Sequence, residues 1–260
     1  MTYTTIATEQ KDRVATITLS RPDSRNALDD VMIRELTDAF LSANRDIGTR
    51  IVVLTGEGKA FCSGMDLVYL RKFADLGEHE NLEDAKNLLT LLRTVHTLRK
   101  PVIAMVNGPA LGGGCGLASA CDFVFLSKEH ARMGVPEVKL GFLPAVIMVF
   151  LIKRMGEAAA REFVLRGEIL PAEQALVRGL ATEVVPHQAL GETVYRFAGE
   201  MCISTSASSI SLTKDLLTRL GDMSLPEAMD YAAHLNALAR KTEDFRKGLE
   251  SFLNKEPLRW

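Results

Sequence analysis

Three consecutive glycines, Gly112, Gly113 and Gly114, constrain this chain most, because they join an apolar run to a stretch of small residues. The apolar run, residues 101–106, predicts a buried strand, and the small residues after the glycines favour a helix. Glycine lets a backbone approach a ligand closely, and the first N–H groups of a helix have no partner inside it. Because such N–H groups suit an anionic oxygen, the turn is predicted to bind one.

The composition is that of an ordinary globular protein. The chain has 260 residues, 47% hydrophobic and 25% charged, enough for one large α/β domain or a domain with an appendage. A net charge of −2 gives no electrostatic reason to expect nucleic acid or an anionic membrane as a partner. The four cysteines lack zinc-ligand spacing, and the first residues contain no apolar signal core. We therefore expect a cytoplasmic protein with reduced thiols, no metal and no membrane association.

The first half of the chain alternates between strand and helix patterns. Asp29 and Asp30 are predicted to cap the first helix, and the wholly apolar run 51–54 indicates a strand buried on both faces. Polar residues 72–81 indicate a mobile surface loop before the next helix. The predicted strands are residues 14–19, 51–54, 102–106 and 123–126. This order predicts an α/β fold with a largely parallel sheet.

The second half changes character. Residues 145–152 are apolar on nearly every side and predict a buried helix. Four helical patterns then follow, near residues 187–203, 206–220, 224–240 and 242–252. The chain is accordingly divided into an α/β core, residues 1–195, and a helical C-terminal section, residues 196–260.

A second glycine-bearing turn, residues 56–67, also follows a buried strand and precedes a helical stretch. If the two turns lie side by side, one N–H from each could point at a single oxygen. Such a pair suits a thioester, because removing a proton next to its carbonyl places negative charge on that oxygen. One fixed donor of this kind lowers the barrier by roughly 3–4 kcal/mol.

The two turns are similar to known signature blocks. Residues 59–67 and 107–123 resemble those of the crotonase superfamily, which contains the enoyl-CoA hydratases and isomerases. Further resemblance lies in residues 21–28, 135–144 and 252–260. The resemblance covers the whole chain, and it implies a crotonase-like spiral of ββα units with C-terminal helices that form a homotrimer, or a dimer of trimers.

The resemblance also implies the site residues. The N–H groups of Met65 and Gly113 would form an oxyanion hole, and Glu137 would be the catalytic carboxylate. The acyl-CoA substrate would itself supply coenzyme A, with no other cofactor. Expected substrate and coenzyme A contacts are Arg25, Ala27, Leu28, Lys59, Ala60, Ser63, Asp66, Leu67, Tyr69, Gly112, Gly116 and Phe142.

The chain departs from the family pattern at Gly116. Hydratases of this family place a first glutamate there and a second at the position of Glu137, and the pair works on one water. With one glutamate, moving a double bond from the 3,4 to the 2,3 position is simpler, since one base can take a proton from C2 and return it to C4. Apolar residues replace a glycine-rich stretch near 144–150, which indicates an apolar acyl pocket.

Simpler roles exist for several of these residues. Glu137 could be a solvated surface carboxylate, and Asp66 a helix cap rather than a substrate ligand. Tyr69 could be a core aromatic, Arg25 and Lys59 solvated charges. His96 and His234 are interpreted as packing or surface histidines.

Several functions remain open from the residues. As an enzyme, the chain could catalyse 3,2-enoyl-CoA isomerisation, which is favoured, 2-enoyl-CoA hydration, or decarboxylation or another reaction of this superfamily. The others are a non-catalytic acyl-CoA binder and an RNA-binding protein, which the charge balance disfavours. A dinucleotide site at Gly112 is rejected, because Leu117 stands where its third small residue belongs.

Overall fold

The computed structural model describes residues 2–260. The strands are β1 (Ile6–Lys11), β2 (Val14–Leu19), β3 (Ile51–Gly56), β4 (Val102–Val106), β5 (Pro109–Leu111), β6 (Phe123–Ser127), β7 (Arg132–Gly134), β8 (Ile169–Pro171) and β9 (Glu183–Val185). The helices are α1 (Asp30–Arg45), α2 (Leu67–Arg71), α3 (Glu78–Thr97), α4 (Gly113–Ala120), α5 (Ala145–Met155), α6 (Glu157–Leu165), α7 (Ala172–Val177), α8 (Leu190–Ser204), α9 (Ala207–Leu220), α10 (Leu225–Ala239) and α11 (Glu243–Asn254). Short 3₁₀ turns lie at Pro22–Ser24, Glu137–Leu140 and His187–Ala189.

Two sheets form the frame. The larger has the order β1-β2-β3-β4-β6-β9, and every pairing in it is parallel except β1 with β2. The smaller has the order β5-β7-β8, with β5 parallel and β8 antiparallel to β7. The predicted α/β fold with a largely parallel sheet is confirmed.

The centre of the large sheet is buried on both faces because helices cover each side, whereas the edge strand β1 is mostly exposed. Successive side chains of a strand point to opposite faces, and β3 divides accordingly: Val52 and Leu54 belong to the core cluster that includes α1 and α3. Ile51 and Val53 belong to the cluster that includes α8. This explains the uninterrupted apolar run, as expected for a strand covered on both sides.

Most predicted elements are confirmed, with two corrections. The polar segment is shorter than predicted, because α3 already begins at Glu78; Glu78 and Glu80 lie in its first turn, where carboxylates favour a helix N-terminus. Helix α5 is only partly buried: Ile147 and Leu151 are inside, whereas Val149 is 55% exposed. Strands β1, β5, β7, β8 and β9 were not predicted.

The helical tail has the predicted order, but its first helix belongs with the sheet. Residue 195 lies inside α8, and Val194 and Ala198 of that helix pack against Ile103 and Phe125. The division at residue 195 stays a prediction. None of the helices in residues 2–260 combines the length with the hydrophobicity that a bilayer crossing requires.

Candidate active site

The two glycine turns lie side by side. Cys62 pairs with Ala110, and the Leu111 N–H donates to the Cys62 carbonyl at 2.9 Å. A Cβ placed on Gly64 would lie 3.4 Å from the Gly113 nitrogen, and one on Gly113 would lie 3.8 Å from the Met65 nitrogen. The two turns are therefore adjacent, which is the arrangement that a shared pair of amide donors requires.

Backbone hydrogen bonds fix the Met65 amide from both sides. The Leu28 N–H donates to the Gly64 carbonyl at 2.8 Å, and the Asp66 N–H donates to the Leu28 carbonyl at 2.8 Å. Met65 itself, between them, donates to no protein acceptor within residues 2–260. The Gly113 N–H is the first of α4 and has no partner in that helix. Two neighbouring amides are thus left available for an external oxygen.

A buried asparagine holds the loop beneath this pair. Asn26 is fully buried, and its side-chain amide donates to the carbonyl groups of Glu57 at 3.0 Å and Ala60 at 2.9 Å. Its side-chain oxygen accepts from the Arg21 N–H at 2.9 Å. Asn26 has a φ of 56°, a left-handed conformation that asparagine tolerates better than most residues. It therefore couples the loop of residues 21–28 to the second glycine turn.

Glu137 lies over the first glycine turn. A Cβ on Gly112 would lie only 2.8 Å from its Oε1, so only glycine leaves room for the carboxylate here. Gly112 also has a φ of 50°. The other oxygen, Oε2, is buried and has no hydrogen-bond partner in the described chain. Burial raises the pKa of the Glu137 carboxyl above its usual value, because a low-dielectric environment disfavours the charged form.

Gly116 faces an isoleucine instead of a second carboxylate. A Cβ at Gly116 would lie 2.1 Å from Cγ2 of Ile147, which is 2% exposed. The side chain of Ile147, from α5, therefore fills the volume that any side chain at position 116 would need.

The expected coenzyme A contacts come from two segments that the structure joins. The Ser63 N–H donates to the Arg25 carbonyl at 3.0 Å, which links the loop of residues 21–28 to the second turn. Arg25 and Lys59 are exposed, as a charged ligand requires. Ala27, Leu28 and Ala60 are buried, Ser63 is half-buried, and Leu67 is exposed.

Three expected contacts have other surroundings. Asp66 caps α2, accepting from Val68 N–H at 2.9 Å and pairing with Arg21 at 3.1 Å, so the capping interpretation is confirmed. Tyr69 is buried, and its hydroxyl donates to Asp84 at 2.5 Å, which fits a core aromatic. The Phe142 N–H donates to the Glu137 carbonyl at 3.0 Å, while its side chain is 53% exposed.

Two further predictions about side chains are confirmed. His96 packs edge-on against Phe150, and burial lowers its pKa; His234 is exposed on α10. The cysteines are buried and unpaired by disulfides, and burial raises the pKa of Cys62 and Cys115 to about 12.

Sequence reasoning missed two residues of the site. Ile147 contacts Gly116 although the two residues are far apart in the chain, and no local sequence pattern predicts this contact. Asn26 is part of the resembling segment 21–28 but was not predicted to have a role of its own, although an asparagine in a loop between apolar segments is typical of a left-handed position.

Comparisons with known proteins agree with this geometry. A sequence profile described as enoyl-CoA hydratase/isomerase matches residues 9–260. The chain is 39% identical to a Thermus thermophilus protein assigned as an enoyl-CoA hydratase, covering 96% of this chain and 98% of that one. It is 33% identical to the 2,3-dehydroadipyl-CoA hydratase of Escherichia coli, covering 95% and 94%. The structure of an enoyl-CoA hydratase from Shewanella pealeana is similar with a TM-score of 0.92 and 31% identity, covering 99% and 96%.

The fold is therefore that of the crotonase superfamily, as the signature blocks implied. Within it, the chain belongs to the enoyl-CoA hydratase/isomerase family of acyl-CoA enzymes.

Proposed function

We propose that this protein catalyses proton transfer on an enoyl-CoA thioester, and that its principal reaction is 3,2-enoyl-CoA isomerisation. The observation that carries this proposal is the carboxylate of Glu137, which lies against Gly112 with its Oε2 buried and unpartnered, while Ile147 fills the space at Gly116.

In the proposed reaction, the N–H groups of Met65 and Gly113 hold the thioester oxygen. Glu137 removes a proton from C2, and the electron pair of that bond moves through C1 onto the oxygen. The negative charge on the enolate is then stabilised by both amides. Glu137 returns the proton to C4 as the electrons flow back, which leaves the double bond between C2 and C3. A carboxyl whose pKa is raised by burial is a stronger base than an ordinary glutamate.

Isomerisation fits this site better than addition of water. Hydration needs a bound water, a group to take its proton and a group to supply one to the α-carbon. The volume at position 116 is occupied by an aliphatic side chain, which offers a water no hydrogen bond.

Hydration is nevertheless the second candidate, because the relatives compared above carry the name hydratase. One glutamate can in principle serve both proton transfers in sequence. A non-catalytic acyl-CoA binder is the third candidate, since one of the two family carboxylates is missing.

The substrate is proposed to bind through both joined segments. Arg25, Lys59 and the backbone of residues 59–67 would face coenzyme A, and an apolar acyl group would lie towards α5. The Escherichia coli relative is named for a carboxylated acyl group; Ile147 and its apolar neighbours favour an uncharged one here. The proposed reaction needs no cofactor, and coenzyme A enters as part of the substrate.

A panel of 2-enoyl and 3-enoyl thioesters tests the proposal on wild type, Glu137→Gln and the control Glu173→Gln. Glu173 is 68% exposed in its side chain. Isomerisation of a 3-enoyl-CoA creates conjugated absorbance, and hydration of a 2-enoyl-CoA removes it. We expect wild type and the control to isomerise the 3-enoyl thioesters. Glu137→Gln should react about 10²–10⁴-fold more slowly while still binding substrate, because only the base is removed.

Two results would redirect the assignment. Faster hydration than isomerisation by wild type, lost in Glu137→Gln, would establish the hydratase candidate. Equal behaviour of wild type and Glu137→Gln with every thioester would leave only the non-catalytic binder.

A further inference from the structure

A cleft of about 320 Å³ lies at the opposite ends of β3 and β4 from the glycine turns. Residues 44–50 and 99–101 form two of its walls, and the first turn of α9 forms the third. Arg50 and Pro101 immediately precede β3 and β4, so the cleft is at the amino ends of these parallel strands. The glycine turns follow their carboxyl ends. A six-residue strand is about 20 Å long, so the two sites are separate.

The cleft concentrates positive charge. Arg45, Arg50, Arg99 and Lys100 all line it. No carboxylate in residues 2–260 forms an ion pair with any of the four. Exposed arginines on other helices do form ion pairs: Arg161, for example, pairs with Glu157.

The nearby acids offset part of this charge without forming ion pairs in the described chain. Asp46 attracts Lys100, Asp244 attracts Arg50, and Asp215 attracts Arg99. Asp46 is the carboxylate that lines the cleft, and its oxygens accept from Gly48 N–H at 3.1 Å and Thr49 Oγ1 at 2.6 Å. Asp244 of α11 accepts from the Ser208 N–H at 3.2 Å and from the hydroxyls of Ser206 and Ser208. The amide end of α9 is thus already capped, and the anion preference comes from the side chains alone.

Two of the cations are fixed and two are free. The Lys100 ammonium donates to the carbonyls of Ala43 at 2.6 Å and Asp46 at 2.5 Å, and burial lowers its pKa. Arg50 donates through Nη2 to the Thr205 carbonyl at 2.6 Å. Arg45 and Arg99 are exposed, and their guanidinium groups have no hydrogen-bond partner in the described chain. Two cations, Lys100 and Arg50, are therefore held in place by main-chain carbonyls, and two guanidinium groups, those of Arg45 and Arg99, are free.

We infer that this cleft binds the phosphate groups of a small phosphorylated ligand. A phosphate dianion offers several acceptor oxygens, which match the planar, paired donors of arginine. The volume is within the range of small-molecule sites, and Ser211 adds a hydroxyl donor at the wall formed by α9. The site is independent of the acyl-CoA reaction.

Calorimetric titration with inorganic pyrophosphate tests the inference at constant ionic strength, with chloride as the balancing anion. The test variant is Arg45→Gln/Arg99→Gln. A control, Arg161→Gln/Arg196→Gln, removes the same charge from arginines that are 65% and 62% exposed. A second control, Arg25→Gln/Lys59→Gln, alters the proposed coenzyme A contacts. Inorganic phosphate in a parallel titration distinguishes a single phosphate from a diphosphate.

We expect saturable binding by wild type and both controls, and about tenfold or greater weakening in Arg45→Gln/Arg99→Gln. That variant should keep wild-type circular dichroism and thioester activity, since both arginines are remote from the glycine turns. Absence of saturation, or equal weakening in both charge-removing arginine variants, would show that the anion binds non-specifically to surface charge and would overturn the inference. Weakening confined to Arg25→Gln/Lys59→Gln would place the pyrophosphate at the coenzyme A contacts and overturn the inference.

Discussion

The surroundings of Glu137 disfavour the ionised form of its carboxyl group, which makes the carboxylate a stronger base. Its Oε2 is buried without a partner, and burial raises the pKa of the carboxyl. Between the unfolded and folded pKa values the folded protein binds more protons than the unfolded one, so stability falls as pH rises through that window. Below the unfolded pKa, the charge and its penalty are absent in both states.

Glu137→Gln should therefore be more stable than wild type at pH 8 and similar to it near pH 4. The gain at pH 8 should come from removal of the charge alone, because the glutamine amide is neutral but is still a polar group without a partner. Urea unfolding at both pH values measures it, with Glu173→Gln as the exposed control. A variant less stable than wild type at pH 8 would show that the carboxylate has a native partner.

At this scale the sequence predicted the chemical groups but only part of their surroundings. The roles of Glu137, Met65 and Gly113 were predicted from the signature blocks, because each role depends on a local segment that those blocks identify. The caps at Asp29 and Asp66 follow from local rules, and both are present. The contact between Gly116 and Ile147 could not be predicted, since it depends on how α5 packs against α4.

That contact fixes the approach of two helices. Gly116 of α4 has no space for a side chain, because Ile147 of α5 is already there. Protein interiors are close-packed, so the interface between these two helices has no spare volume for an added side chain. The α4–α5 contact thus links the helix that carries the Gly113 amide to the apolar side of the site.

Gly116→Ala should destabilise the protein by about 1–3 kcal/mol through overpacking. The double variant Gly116→Ala/Ile147→Ala should lose less than the sum of the single losses, because the smaller side chain accommodates the new methyl group. Denaturant unfolding of all four proteins gives the coupling. Gly199→Ala is the control: Gly199 is inside α8 with nothing near its Cβ position, so it should be neutral or stabilising.

Elements were predictable where their patterns are local. The tail helices α9, α10 and α11 lie within a few residues of the predicted ranges, because each has an amphipathic repeat and a capping residue. Strands β5, β7 and β8 have three residues each, too few for a periodic pattern, and exist because tertiary contacts pair them.

For the whole molecule, the helical tail presents apolar side chains to solvent. On α11, Leu249 is 46% exposed and Phe252 is 82% exposed. Apolar side chains gathered on one helix favour association with another chain. This supports the proposal of a homotrimer, or a dimer of trimers, built through the tail.

Light scattering after size exclusion tests the assembly. Wild type should have three or six times the mass of one chain, and Leu249→Glu/Phe252→Glu should shift towards the monomer, because each buried charge opposes association. Glu250→Gln on the same helix is the control and should keep the wild-type mass. A monomeric wild type, or an unchanged mass in the double variant, would contradict the proposal.

The paired donors at Met65 and Gly113 belong to the main chain, which has an evolutionary consequence. Proline is the one side-chain exchange that deletes such a donor, whereas the proposed acyl-facing wall changes with every substitution at a residue like Ile147. Descendants of one ancestor can therefore drift to new substrates while inheriting the same proposed anchor for the carbonyl, and only proline or an amide-to-ester replacement in the polypeptide would remove it.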